Sequence, residues 1–245
     1  MKARWLAALG VLAACEVEPE TLTMRGVLWD APESEQALAG AKVQTLTSDG
    51  QNVDKATSAN DGLFTVNAPW GSTLHALVSA PGHVTSSFSG VSGISDTFRL
   101  GEGDLHGFPE DLLAMWEADF AGCDGIGQGS ALLGYARFIE LADPDTGEHP
   151  VVETLAVRVL ASDGEYYDAC YLNAEATERD EAALEVGPSG RFAVFGLPEG
   201  LARVDLAYLF VETSEERYVH QVSYDAWLPA DGVAPRFPYW LQVLY

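Results

Sequence analysis

Two stretches decide how this chain folds: LAGAKVQTLTSDG at residues 38–50 and ETLAVRVLASDG at residues 153–164. Each joins an apolar, β-branched run to an Asp-Gly turn, the pattern of a strand entering a hairpin. The flanking signals recur in the same order. Upstream lie RGVLWD (25–30) with Gly26 and LGYARFIE (133–140) with Gly134. Downstream, a second glycine turn feeds a Phe-containing strand, NDGLFTV (60–66) and PSGRFAVFGLPEG (188–200), followed by WGSTLHALVSA (70–80) and LARVDLAYLFV (201–211). In the last of these, Val204, Leu206, Tyr208 and Phe210 alternate with Arg203, Asp205, Ala207 and Leu209. Leu74, Ala76 and Val78 alternate likewise with Thr73, His75 and Leu77. That period of two is the mark of half-buried strands, whose register is fixed because a one-residue slip would turn the apolar face to water. The order therefore reads as two copies of one all-β module.

The copies differ in length. Gly50 to Gly62 spans 12 positions and Gly164 to Gly190 spans 26, so the second copy carries 14 extra residues, including AEATERDEAALE (174–185), a hairpin or a short helix. Composition permits such a fold: 245 residues, 47% hydrophobic and 10% aromatic, suffice for a proper core. The 37 Asp and Glu against 13 Lys and Arg give a net charge of −24, which repels phosphate backbones and excludes nucleic acid as a partner. Residues 15–130 carry 17 acids and 4 bases, and residues 131–245 carry 20 and 7, so the charge is a general coat and not a tail.

LAGAKV, followed by ATSANDGLFTV and LHALVSAPGHV, resembles the carboxypeptidase regulatory-like module, a transthyretin-like sandwich of about seven strands. The resemblance covers residues 22–100. A divergent copy over 131–245 lacks the Ala-Gly-Ala triplet and keeps SGRFAVFGLPEG. It implies two tandem Ig-like or transthyretin-like β-sandwiches. Between them, residues 101–130 contain FPEDLLAMWEADFAG (108–122), where Pro109, the acidic Glu110 and Asp111, and the stripe Leu112, Leu113, Trp116 and Phe120 predict a short helix ended by Gly122. Such a stripe packs on a sandwich more often than it stays exposed.

The chain opens MKARWLAALGVLAAC: Lys2 and Arg4 precede an apolar run too short to span a bilayer, the signature of a secretory signal over 1–14. Leu12-Ala13-Ala14-Cys15 resembles a bacterial lipobox, which implies lipidation of Cys15, a membrane as partner and a place in the bacterial cell envelope, at the outer membrane or cell surface. Residues 15–21, with Glu16, Glu18 and Glu20, would form an acidic tether. Once Cys15 is lipidated, Cys123 and Cys170 remain as a pair in an oxidising space and are expected to form a disulfide, the alternative being two separate buried thiols.

Chemistry-bearing motifs are scarce. His75, His83, His106, His149 and His220 are isolated, with no His-Glu-x-x-His, no Gly-x-Ser-x-Gly and no phosphate-binding Gly-rich loop, so no catalytic residue is assigned and no enzyme is expected. The resemblance concerns an accessory module, not a catalytic carboxypeptidase domain. No cofactor is expected, with Ca²⁺ at DPDTGE as the one candidate: Asp143, Asp145 and Glu148 could offer oxygens to it, although a solvated Asp-Gly turn explains the motif as well. Tyr166, Tyr167 and Tyr171, close to Cys170, form a candidate glycan or peptide platform, with core packing as the competing account. The sequence thus points to a non-enzymatic, lipid-anchored envelope protein with structural roles or protein and glycan partners. The alternatives are a calcium-assisted carbohydrate-binding module and a hydrolase with a dispersed active site.

Overall fold

Strands form where apolar residues alternate. The computed structural model describes residues 21–32, 34–71, 73–91, 97–99, 105–137, 151–173, 191–211 and 217–240. The early strands are β1 (Thr21–Val27), β2 (Lys42–Leu46), β3 (Asn52–Thr57), β4 (Leu63–Pro69), β5 (Thr73–Ser79), β6 (His83–Val84), β7 (Ser86–Val91) and β8 (Thr97–Arg99). The short β9 (Phe108–Pro109) leads into helix α1 (Glu110–Asp119). Then come β10 (Ser130–Arg137), β11 (Val151–Leu160), β12 (Tyr166–Asp168), β13 (Cys170–Tyr171), β14 (Arg191–Leu197), β15 (Gly200–Val211), β16 (Arg217–Leu228) and β17 (Val233–Trp240). Among the described residues the fold is mostly β-sheet with one short helix, as an all-β sandwich requires.

The pairing repeats. In the first half, antiparallel β4-β1 is extended by parallel β8, and a second layer runs β3-β2-β5-β7. In the second half, antiparallel β14-β10 is extended by parallel β17, and a second layer runs β12-β11-β15-β16. Even the glycines correspond: Gly26 stands opposite Phe64 and Gly134 opposite Phe192. At Gly134 the reason is space, because a Cβ there would lie 1.9 Å from the Phe192 ring.

Each pair of layers closes on its own core. Leu22, Met24, Phe64 and Val66 face Val43, Ala76 and Val78 in one. In the other, Leu132, Phe192 and Val194 face Val157, Val159, Val204, Leu206 and Leu228. Burial of one such large side chain contributes about 1.5–3 kcal/mol before ordering costs.

The halves are not separate beads. Strand β17 also pairs in parallel with β7, Val233 opposite Ser86, so that one eight-stranded sheet runs β13-β14-β10-β17-β7-β5-β2-β3 through both. The Val233 amide donates to the Thr85 carbonyl at 2.9 Å, and the Trp227 amide donates to Ser89 Oγ at 3.2 Å. Ser87 Oγ donates to the Trp227 carbonyl.

The described part of the expected linker, residues 105–130, is also packed. Helix α1 is shorter than the apolar pattern suggested: Pro109 is still paired with His83 in β9, and Phe120 already leaves the helix. Its apolar side builds a third core, in which Phe108, Trp116, Phe120 and Cys123 meet Leu133, Leu172, Ala193, Phe195 and Val233, with Val84 of the first half against it. Arg191 lies over the Trp116 ring at 4.2 Å and pairs with Asp119 at 2.7 Å, which fixes the helix to β14. Cys123 and Cys170 form a disulfide with Cα atoms 6.3 Å apart, tying the segment after α1 to β13.

Candidate functional site

Outward residues of the second half's β12-β11-β15-β16 layer form a polar row. Register places Asp168, Arg158, Asp205 and Ser223 directly opposite one another across the four strands. Arg158 Nε donates to Asp168 Oδ1 at 2.8 Å, while Arg203 Nε donates to Asp205 Oδ1 at 2.7 Å and a terminal Arg203 nitrogen donates to Ser223 Oγ at 3.1 Å. The hydrogen bond and charge of Asp168 raise the Arg158 pKa above its ordinary value. With Ala156, Ala207 and Gln221 these groups line an open cavity of about 570 Å³. Opposite charges in neighbouring strands neutralise each other here, so the row is a solvent-screened cross-strand pairing that offers no single-sign field to a ligand.

A second cavity, also about 570 Å³, lies on the first half's β3-β2-β5 layer. Lys42, Gln44, Lys55, Thr57, Leu77, Ser79 and Thr85 line it, with Val43 and Ala56. Unlike the row above, it presents cations without carboxylates among its described lining residues.

The tyrosines of the expected platform are not brought onto one face. Tyr171 is buried in the second core, where its hydroxyl accepts from the Val157 amide at 2.9 Å. Strand β13 crosses to the opposite layer at this point, leaving the β11 backbone to be capped by that hydroxyl. Tyr166 is exposed with the Arg158 guanidinium 4.9 Å from its ring centre. Tyr167, on the opposite side of β12, donates to Asp163 Oδ2 at 2.9 Å. That bond raises the Tyr167 pKa, and the Glu165 backbone amide with the Tyr167 hydroxyl lowers that of Asp163.

Among the described histidines, His75 is buried with Nδ1 2.7 Å from Ser89 Oγ, and its ring lies 5.9 Å from that of Trp227. His83 Nε2 is 3.0 Å from the Asp30 carbonyl and 3.2 Å from its carboxylate. His106 is buried against Phe88, and desolvation lowers its pKa to about 4. These rings hold loops and the junction between halves. No group of three His, Cys, Asp or Glu among the described residues could hold a metal ion. Cys15, Asp143, Asp145, Glu148 and His149, the signal over 1–14, most of the tether and the insertion at 174–185 lie outside the described residues. No described helix is long and apolar enough to cross a membrane.

Sequence reading missed both cavities. Arg158 and Asp205 were visible as outward positions, and Lys42 and Lys55 as rare lysines, but which strands adjoin is a fact of topology.

No family model and no curated protein matches this chain. Among solved structures it is similar to catechol 1,2-dioxygenase from Acinetobacter sp. ADP1, at 13% identity and TM-score 0.28, over 40% of this chain and 56% of that one. It is also similar to the Bacillus anthracis TIE protein, at 10% identity and TM-score 0.28, over 90% of this chain and 34% of that one. A streptococcal ancillary pilin is similar at 11% identity and TM-score 0.25, over 84% and 59%. The chain thus spans less than two thirds of the length of each of these three chains. Likeness at this level has no bearing on what the chain does.

Proposed function

We infer that this is a non-enzymatic, lipid-anchored envelope protein whose two transthyretin-like sandwiches, over 22–100 and 131–245, act as one rigid interaction module at the cell surface or in the periplasm. Cys15 is the proposed lipid attachment, and the described residues 105–130 serve as a wedge packed against both sandwiches. The observation that carries the reading is the eight-stranded sheet that runs through both halves by way of β17 and β7. A protein made to move its modules would leave that edge unpaired; joining the edges makes a stiff body suited to presenting surfaces at a fixed spacing.

Two measurements test this. Metabolic palmitate labelling should disappear in Cys15→Ser, and retained labelling would remove the anchor. Scanning calorimetry of the unlabelled variant should show one transition with calorimetric and van't Hoff enthalpies equal. Two resolved transitions would mean that the halves are independent beads.

A further inference from the structure

The lysines of this chain are Lys2, Lys42 and Lys55, and the latter two share one cavity. Lys42 stands opposite Thr57 and Lys55 opposite Gln44, which makes the two lysines diagonal neighbours on adjacent antiparallel strands. Diagonal positions on one face lie about 7–8 Å apart, within reach of each other for long side chains, so both ammonium groups can close on the same anionic segment. Both residues are exposed, and neither forms an ion pair among the described residues. In a chain of net charge −24, where acids outnumber bases almost threefold, two lysines lining one cavity with no carboxylate among its described lining residues make a local exception to the coat.

The surroundings narrow the ligand. Gln44, Thr57, Ser79 and Thr85 supply neutral hydrogen-bonding groups, and Leu77, opposite Gln44, adds an apolar floor. No aromatic ring is among the described lining residues, and such rings are what a saccharide face stacks on. The cavity also has a rigid wall: Leu77 stands opposite Ser87 of β7, whose hydroxyl is bonded to the Trp227 carbonyl of the second half. On its other side β3 is the last strand of the eight-stranded sheet. Asp54 of β3 accepts from the Asn67 amide of β4 and from the Lys55 backbone amide, both at 2.8 Å, so its carboxylate is engaged by main-chain donors on the side facing the opposite layer.

We propose that the β3-β2-β5 face binds an acidic polypeptide segment, with Lys42 and Lys55 pairing its carboxylates and Gln44, Thr57 and Ser79 meeting its polar groups. This names a partner class for the interaction module proposed above and rests on that reading, but it does not depend on the lipid at Cys15.

Fluorescence anisotropy of a labelled octaglutamate against the full chain in detergent tests it, with octagalacturonate and inorganic phosphate as competitors. Octaglutamate should bind, weaken as salt rises, and lose about fivefold in affinity in Lys42→Gln and again in Lys55→Gln, since exposed ion pairs are modest. Arg158→Gln, on the other layer, should bind as the parent does. Circular dichroism and melting of each variant establish that the fold is kept. No binding of octaglutamate, or binding unchanged in the double variant, would overturn the proposal. So would stronger displacement by octagalacturonate, which would assign the face to a glycan, or by phosphate at equal charge. None of these outcomes alters palmitate labelling or the calorimetric transition, so they are separable from failure of the functional reading.

Discussion

The two halves share one pairing scheme and are secured in different ways. The first relies on noncovalent packing alone among its described residues, with His106 set into it as a buried neutral ring. The second has the Cys123–Cys170 disulfide, the extra strand β13 and helix α1 laid over β14. The same strand order therefore leaves the identity of the reinforcing groups open. What distinguishes the halves is where their edges go: β8 is an outer strand of its three-stranded sheet, whereas its counterpart β17 continues into β7.

The sharpest way to break the comparison is to remove the covalent reinforcement. Closing a loop with a sequence separation of 47 is worth about 4 kcal/mol in the chain-entropy model. Replacing Cys123→Ser together with Cys170→Ser should lower urea-unfolding stability by that order, with amide exchange accelerated first in β13 and β14. Unchanged stability would mean that the third core alone holds this region.

Acid should act on the first half. His106 has an ordinary pKa of 6.5 when unfolded and about 4 when folded, so the folded state favours the neutral ring. Its contribution is fully present above pH 6.5 and is lost as pH falls toward 4, amounting to about 3 kcal/mol. Urea titrations at pH 7 and pH 4.5 should show the drop, and His106→Gln should flatten it. An equal drop in that variant would assign the acid sensitivity to other groups.

Equivalent turns give a finer test. Gly50 and Gly164 close the corresponding Asp-Gly hairpins with φ of +82° and +83°. A Cβ at Gly50 would lie 2.0 Å from the Trp227 ring, whereas at Gly164 it meets nothing within 4 Å. Both alanine variants suffer the same backbone strain, so Gly50→Ala should cost about 2 kcal/mol more than Gly164→Ala. Equal melting temperatures would show that Trp227 does not hold the junction. The smallest effect is expected from Tyr171→Phe, which removes the hydroxyl bonded to the Val157 amide and should cost about 1 kcal/mol in thermal unfolding.

Much of the fold was legible because alternation is local. Leu74, Ala76 and Val78 are buried as their spacing implied, and so are Val204 and Leu206. His75 departs from that pattern: it lies on the outward side of β5 yet is fully buried, because the second half covers that side through Trp227. The candidate site was less legible for the same reason. Tyr171 is adjacent in sequence to Cys170 and near Tyr166 and Tyr167, but β12 and β13 belong to different layers, so proximity along the chain did not give a shared surface.

Sequence by itself determined the alternating strands of the repeat and their order of turns, which depend on residue type and short-range spacing, and the net negative charge and the even cysteine pair, which depend on composition alone. Only the tertiary structure decided that β17 joins β7, that the helix before β10 packs against both halves, and that Lys42 and Lys55 line one cavity. Those outcomes depend on which strands become neighbours across long separations, where the choice is made by fitting whole faces together.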